Sequence, residues 1–177
     1  MIATPGAETA NLVLRPLRTA DATQEYADGL NDPEVNRFLE VRRARQTLDS
    51  ARAFVAAHEN APDAVLLGAF LKPGGRLIGT IRLHEIKDGS AWLGICLFAK
   101  DCWGRGLGSE ALGAACRLAF DAAGVERLRA GSYEANAASL ALFQKAGFNI
   151  TGREEGRLEL DGAPAPTVVM ELARRDR

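Results

Sequence analysis

The 177-residue sequence is poor in the side chains that do metal and thiol chemistry. It has two histidines, His58 and His84, and three cysteines, Cys96, Cys102 and Cys116, with no CxxC or other metal-ligand spacing. No resident metal and no disulfide framework are expected. The cysteines read as free, mostly buried thiols of a reducing compartment. A cysteine nucleophile would need a base beside it, and both histidines lie in other segments. Basic charge is not in excess: 22 Lys and Arg face 23 Asp and Glu, for a net charge of -1 and a pI of about 6.2. That is not the electrostatic footprint of a generic nucleic-acid binder. No apolar run approaches the length of about 18 residues that marks a membrane span. The opening MIATPGAETANLVLRPL has neither the basic nor the apolar region of a secretory leader. A cytoplasmic protein without nucleic-acid or membrane partners is the expectation.

Hydrophobic residues make up 47% and charged residues 25%, values ordinary for a globular chain. The length fits one domain over 1–177, with 1–9 as a loose tail. There is no internal repeat and no low-complexity tract. NLVLRPL (11–17) alternates like a half-buried strand, and Pro16 suggests its end or a sheet edge. Residues 19–31 predict a helix, and DPEV (32–35) a turn or a new helix start with Pro33 in the first turn. A second helix over 47–59 places Leu48, Ala51, Phe54, Val55 and His58 on one face. AVLLGAFLK (64–72), RLIGTIRLHEI (76–86) and AWLGICLFA (91–99) read as an antiparallel meander joined by PGG and DGS turns. A helix over about 106–123 ends at Gly124, a strand follows over 125–133, and Asn136 caps a short helix ended by Gly147. Strands over about 148–160 and 166–172, separated by DGAPAP, close the chain. The predicted order is β-αα-βββ-α-β-α-ββ, an α/β (α+β) fold. Its sheet is mixed and mostly antiparallel, with helices on both faces and one right-handed parallel crossover.

Residues 102–112, CWGRGLGSEAL, set Gly104, Gly106 and Gly108 at alternate positions just where a helix should begin. A helix start carries N–H groups without internal partners and favours negative charge. Glycines there let a phosphate approach the backbone. The G-x-G-x-G spacing is not the G-x-G-x-x-G of a dinucleotide fold, and no G-K-[ST] of a Walker loop is present. Taken alone, the loop fits either a phosphate cradle or a tight strand-to-helix turn with no ligand.

A second segment, N-A-A-S-L-A-L-F-Q-K-A-G-F (136–148), accompanies W-G-R-G-L-G-S-E-A-L (103–112) and L-G-I-C-L (93–97). Together these resemble the GNAT superfamily of acyl-CoA-dependent N-acetyltransferases. The nearest likeness is to the branch that includes the ribosomal-protein N-terminal acetyltransferases. LVLRPLRTAD (12–21) and DPEVNRFL (32–39) also look like that branch, so the resemblance runs over about 11–172. It implies that amides of Gly104, Arg105, Gly106, Leu107, Gly108 and Ser109 hold the diphosphate of acetyl-CoA, with Trp103 in the same loop. Arg105 is either a phosphate contact or a solvated side chain. Leu93–Ala99 would bulge and pair through its main chain, at Leu97, Phe98 and Ala99, with the pantetheine arm. A splay between that strand and 127–133 would admit the arm. Asn136 is a helix cap that also bonds the arm, and Ser139 a hydroxyl near the thioester sulfur.

The implied reaction is attack by a neutral amine, from a small molecule or a peptide, on the acetyl thioester. Phe143 stands where many superfamily members have a proton-donating tyrosine, and packing is its simpler role. His84, Glu134 and water are the candidate bases; an unperturbed histidine titrates near 6.5. NRFLEVRRARQ (36–46) and the late hairpin should shape the acceptor site. Arg37, Arg42, Arg43 and Arg45 form either a solvated loop or a basic lip. A non-catalytic acyl-CoA-binding module of the same fold, or a nucleotide binder using the loop differently, would also account for the motifs. Exposed strand edges are compatible with a homodimer.

Overall fold

Leu12 and Leu14 are fully buried while Val13 and Arg15 between and beside them are half-buried, the period of two that a sheet imposes. They belong to an eight-stranded sheet in the computed structural model, which describes residues 6–174. Its strands are β1 (Ala7–Glu8), β2 (Leu12–Pro16), β3 (Val65–Leu71), β4 (Arg76–Lys87), β5 (Ser90–Leu97), β6 (Arg127–Tyr133), β7 (Asn149–Leu160) and β8 (Ala163–Ala173). Their order in space is β1-β2-β3-β4-β5-β6-β8-β7. Every neighbouring pair is antiparallel except β5–β6. The helices are α1 (Gln24–Asn31), α2 (Pro33–Asn36), α3 (Leu48–Glu59), α4 (Leu107–Ala122) and α5 (Ala137–Lys145).

Helices cover both faces of the sheet. On one face, Tyr26 of α1 lies beside Thr80 of β4, and Arg82 of β4 lies over the ring of Phe54 in α3. Ile81 and Leu83 point the other way, fully buried, beside their cross-strand partners Ile95 and Leu93. Leu97 shares that second face, and a Cβ added at Gly108 of α4 would stand 3.2 Å from its Cδ1. Gly124 at φ +63 ends α4 in the left-handed conformation. After α5, Gly147 donates to Gln144 O and Phe148 to Phe143 O, the paired bonds of a Schellman stop. The rings of Phe143 and Phe148 then meet edge-on at 5.0 Å.

Four local expectations are revised. Residues 19–31 are not one helix: Thr19–Asp21 form a 3-10 turn and Thr23 caps α1. The Asp21 carboxylate accepts from Arg18 N and from both Arg15 guanidinium nitrogens, which holds that turn apart from the helix. Of the tail expected over 1–9, residues 1–5 lie outside the described residues, and Ala7–Glu8 pair with Leu14 and Val13 as an edge strand. The DGAPAP turn shrinks to Asp161–Gly162, both at positive φ (53° and 81°), as a two-residue primed hairpin requires. Pro164 and Pro166 stay in β8, whose pairing with β6 ends at Thr167. Their missing donors face that open side and cost no ladder bond. Last, the apolar face of α3 is narrower than predicted: Ala51 and Val55 are buried, but Phe54 is 40% exposed.

Gly29 illustrates how closely α1 approaches the end of β5. A Cβ there would lie 2.8 Å from Phe98 Cδ2 and 2.9 Å from Phe98 Cβ. Gly29→Ala gains up to about 1 kcal/mol of helix propensity. Overpacking against the buried ring costs about 1–3 kcal/mol, and the cost wins. Thermal denaturation should show a Tm lower by a few degrees; an equal or higher Tm contradicts this packing.

Candidate active site

Strands β5 and β6 touch only at their beginnings. Ser90, Ala91 and Trp92 pair with Arg127, Leu128 and Arg129, and the ladder stops there. Each strand stays zipped to its outer neighbour, β5 to β4 as far as Leu97 and β6 to β8 as far as Tyr133. The two halves of the sheet therefore part. Phe98 N–H donates to Ile78 O, so alternation along β5 turns the N–H groups of Ile95 and Leu97 away from β4 and into the gap. The predicted bulge falls at the strand's exit. Register is unbroken from Leu93 to Leu97, and then Phe98 and Ala99 both donate to the one carbonyl of Ile78. Those two residues are buried, and Phe98 packs its ring 5.2 Å from that of Tyr26. Of the expected trio only Leu97 reaches the open cleft.

A cavity of about 750 Å³ runs from the start of α4, through this gap, to the segment after α1. Its entrance is the glycine loop. Gly104 and Gly106 have φ of +71 and +78, and nothing lies within 4 Å of a Cβ at either. Gly108 differs: its φ is ordinary, and its bareness lets α4 sit against Leu97 and Leu142. Gly106 is the N-cap of α4 and has no side chain to close the helix end. Among the described residues no acceptor takes the N–H groups of Gly104 through Ser109, while Glu110 N–H bonds back to Gly106 O. Trp103 is 42% exposed and donates Nε1–H to Leu97 O at 2.9 Å, tying the loop to the edge of the gap. Glu110 accepts from Asn11 N and Nδ2 at 2.7 and 2.9 Å, fixing the helix start to β2. The Arg105 side chain is exposed and lies outside the cavity lining.

The far wall of the gap is the start of α5. Asn136 Oδ1 accepts from Ser139 N at 3.2 Å, so its capping role is met within the chain. Asn136, Ser139 and Phe143 all line the cavity. The Ser139 hydroxyl has no protein partner among the described residues, whereas Phe143 is 3% exposed and belongs to the core.

The two candidate bases sit elsewhere. Glu134 receives both nitrogens of Arg153 at 2.9 Å, which holds its carboxyl below the usual range. His84 is paired with Trp92 at the far end of β4, with Nδ1 3.7 Å from Glu85. Burial and then Arg82 push its pKa down, leaving it neutral at pH 7. Neither lines the cavity. Burial raises the Cys96 and Cys116 thiols to about 12, so neither is a thiolate. Among the described residues no group of three or more His, Cys, Asp or Glu could hold a metal ion, and no helix is long and apolar enough to cross a membrane.

The inner end of the cavity is shaped by 34–46. Arg42 is the knot: Nη2 donates to Tyr133 Oη at 3.0 Å and to Glu159 O, and Nη1 to Leu39 O at 2.8 Å. Tyr133 Oη in turn lies 2.8 Å from Glu40 Oε1 and 3.0 Å from Glu159 O. Burial raises the Tyr133 phenol, with Arg42 opposing and Glu40 adding, so it stays protonated at neutral pH. Arg37 pairs with Asp161 at 3.4 Å and Arg43 with Glu40 at 2.7 Å. Three of the four arginines expected as a solvated loop or a basic lip are thus neutralised in place. Arg37 and Arg42 lash the loop to the β7–β8 hairpin, while Arg43 is held within the loop.

Sequence reasoning did not single out Phe54, Arg82 or Gly94 as lining, yet all three face the cavity. Phe54 carried a signal that was read as core. Arg82 and Gly94 become neighbours only through the β4–β5 register.

The site is therefore a mostly antiparallel sheet that parts at its one parallel pair, beside an uncapped glycine-rich helix start. Residues 11–149 match the model of the acetyltransferase (GNAT) domain, and the chain belongs to that family of acetyltransferases. It is 27% identical over 175 residues to the uncharacterized N-acetyltransferase YoaA of Bacillus subtilis (strain 168), covering 96% of this chain and 97% of that protein. RimJ of Mycobacterium smegmatis, solved in complex with CoA-disulfide, superposes with a TM-score of 0.79 at 21% identity, over 92% of this chain and 81% of that one. Spermidine N-acetyltransferase from Vibrio cholerae, in complex with CoA and spermine, gives 0.82 at 18% identity, over 93% and 96%. The fold is the one that the resemblance implied.

Proposed function

We propose that this protein moves an acetyl group from acetyl-CoA to a primary amine, of a protein N-terminus or a small molecule, by direct attack within a ternary complex. The observation that carries the reading is the alignment of two features along one cavity: unpartnered amides over 104–109 and unpaired main chain in the gap beyond Trp92. The loop amides suit a diphosphate, since glycine at Gly104 and Gly106 keeps the approach clear. The N–H groups of Ile95 and Leu97 suit an extended arm laid between β5 and β6, which would complete the ladder as an added strand does. When bound, acetyl-CoA supplies the activated acetyl thioester. The N–H of Ile95 or Leu97 is then a fixed donor for charge developing on the carbonyl oxygen. Asn136 borders the arm, and Ser139 Oγ, free of protein partners, can hand a proton to the departing sulfur.

No side chain is assigned as base, because His84 and Glu134 are outside the lining and one of them is held by Arg153. The neutral fraction of the amine attacks after losing its proton to water in the cleft. Release of free CoA thiol from acetyl-CoA, measured with a panel of amines and checked by mass spectrometry of the product, tests the activity. Ser139→Ala should lower kcat about 10- to 100-fold, near the low end for proton transfer because a thiolate is a tolerable leaving group. Its KM for acetyl-CoA should hold. His84→Gln and Glu134→Gln should keep kcat/KM within about threefold, with a pH profile that rises with the amine's own pKa. A loss of about 10²-fold in either, the size of a missing base, would overturn the assignment.

A further inference from the structure

The acceptor half of the cavity is largely apolar, and among the described residues it holds one cation without a carboxylate partner. Among the described residues, two charged ones line the cavity, Glu34 and Arg82. Glu34 is bound by Lys100, which also bonds Asp32 at 2.7 Å. Arg82 has no carboxylate within ion-pair distance among the described residues; its guanidinium lies 5.9 Å from the centroid of the Phe54 ring. Phe54 itself is one of three exposed large hydrophobics among the described residues, and it is turned into this cavity. Gly94 sits directly opposite Arg82 across the β4–β5 ladder, with nothing within 4 Å of a Cβ. A bare strand position beside an unpaired guanidinium, under an exposed aromatic ring, leaves a slot with a positive floor and an apolar wall.

We propose that the amine taken here also carries a carboxylate and an apolar group: a small amphiphilic amino acid, held by Arg82 through the carboxylate and by Phe54 and Phe38 through its side chain. A guanidinium matches a carboxylate in a two-bond fork, and such charge-assisted bonds are stronger than neutral ones. Phe54 backs the fork by cation–π contact. A polyamine finds no equivalent anchor among the described lining residues, because Glu34 is held by Lys100. This inference deepens the acetyl-transfer reading and rests on it for the reaction, but the slot can be read by binding alone.

The test is calorimetric titration of the CoA-loaded protein with L-leucine and L-phenylalanine, against leucinamide and phenylalaninamide, which lack the carboxylate. Acetyl transfer to the same compounds, to spermidine and to a short peptide is followed in parallel by mass spectrometry. The acids should bind about 10- to 100-fold tighter than their amides, the worth of a hydrogen bond to a charged group. Arg82→Gln should erase that preference, and Arg82→Lys should keep part of it. Acetyl-CoA affinity should be unchanged in both. Equal binding of acid and amide, a preference that survives Arg82→Gln, or best transfer to spermidine or the peptide overturns the slot while leaving acetyl transfer standing. Carboxylate-dependent binding through Arg82 with no transfer to any amine upholds the slot and overturns the acetyl-transfer reading.

Discussion

Gly106→Pro should abolish measurable acetyl-CoA binding, weakening it by at least about 100-fold, while the fold survives. Proline holds φ near -65°, whereas position 106 needs +78. The substitution cannot keep the left-handed N-cap, so the first amides of α4 lose their common aim. Each bond from such an N–H to a phosphate oxygen contributes about 1.5–3 kcal/mol, and losing two accounts for the expected drop. Stability should suffer less. The residue is exposed, and nothing lies within 4 Å of a Cβ, so no packing is lost beyond local strain of about 1–3 kcal/mol. Gly106→Ala should be milder, since alanine enters the left-handed region for about 1–2 kcal/mol. Gly113→Ala in the same helix, where a Cβ would be 3.7 Å from the mobile end of Arg117, should leave binding untouched. Titration calorimetry on the three variants, with circular dichroism to confirm helix content, separates a loop effect from a helix effect. Equal losses in Gly106→Pro and Gly113→Ala would contradict the loop's role.

Arg42→Ala should raise the KM of the amine about tenfold and leave acetyl-CoA affinity alone. Arg42 is the member of the arginine-rich segment whose side chain is largely covered, at 20% exposure, with bonds to Leu39 O, Tyr133 Oη and Glu159 O. Truncation leaves two carbonyls and the phenol short of a donor at about 1–3 kcal/mol. That unfastens the segment bearing Phe38, Leu39 and Val41, which wall the inner cavity. Tm should fall by about 2–4 °C for each kcal/mol in a chain of this size. Arg45→Ala, which has no ion-pair partner among the described residues, should do neither. Steady-state kinetics with both substrates varied reads the difference. Parallel losses for amine and acetyl-CoA would mean that Arg42 supports the whole cleft rather than its acceptor wall.

The parts of the site legible in the sequence are those made by neighbours along the chain. Gly104 and Gly106 announce themselves because positive φ is a local demand. Asn136, Gly147 and Phe148 do so because a cap and a Schellman stop each fit within a few residues. The gap between β5 and β6 was expected from the family resemblance, but its length was not, because strand pairing is decided by β4 and β8 on the outer sides. Nothing along the chain marks Arg82; only the β4–β5 register sets it opposite Gly94. Phe54 shares the 3.6-residue period of a core position, yet it is 40% exposed and faces the cavity. Pro164 and Pro166 spelled a turn, since sequence does not reveal that β8 lacks a second neighbour there. In each case the missing information was which strand lies alongside.

The most direct measurement is a crystal structure of the protein grown with CoA. The diphosphate should lie within hydrogen-bond distance of the main-chain nitrogens over 104–109, with the arm lying between β5 and β6 against Ile95 and Leu97. Density for CoA along another face, or a loop whose amides turn away while CoA is bound, would contradict the account.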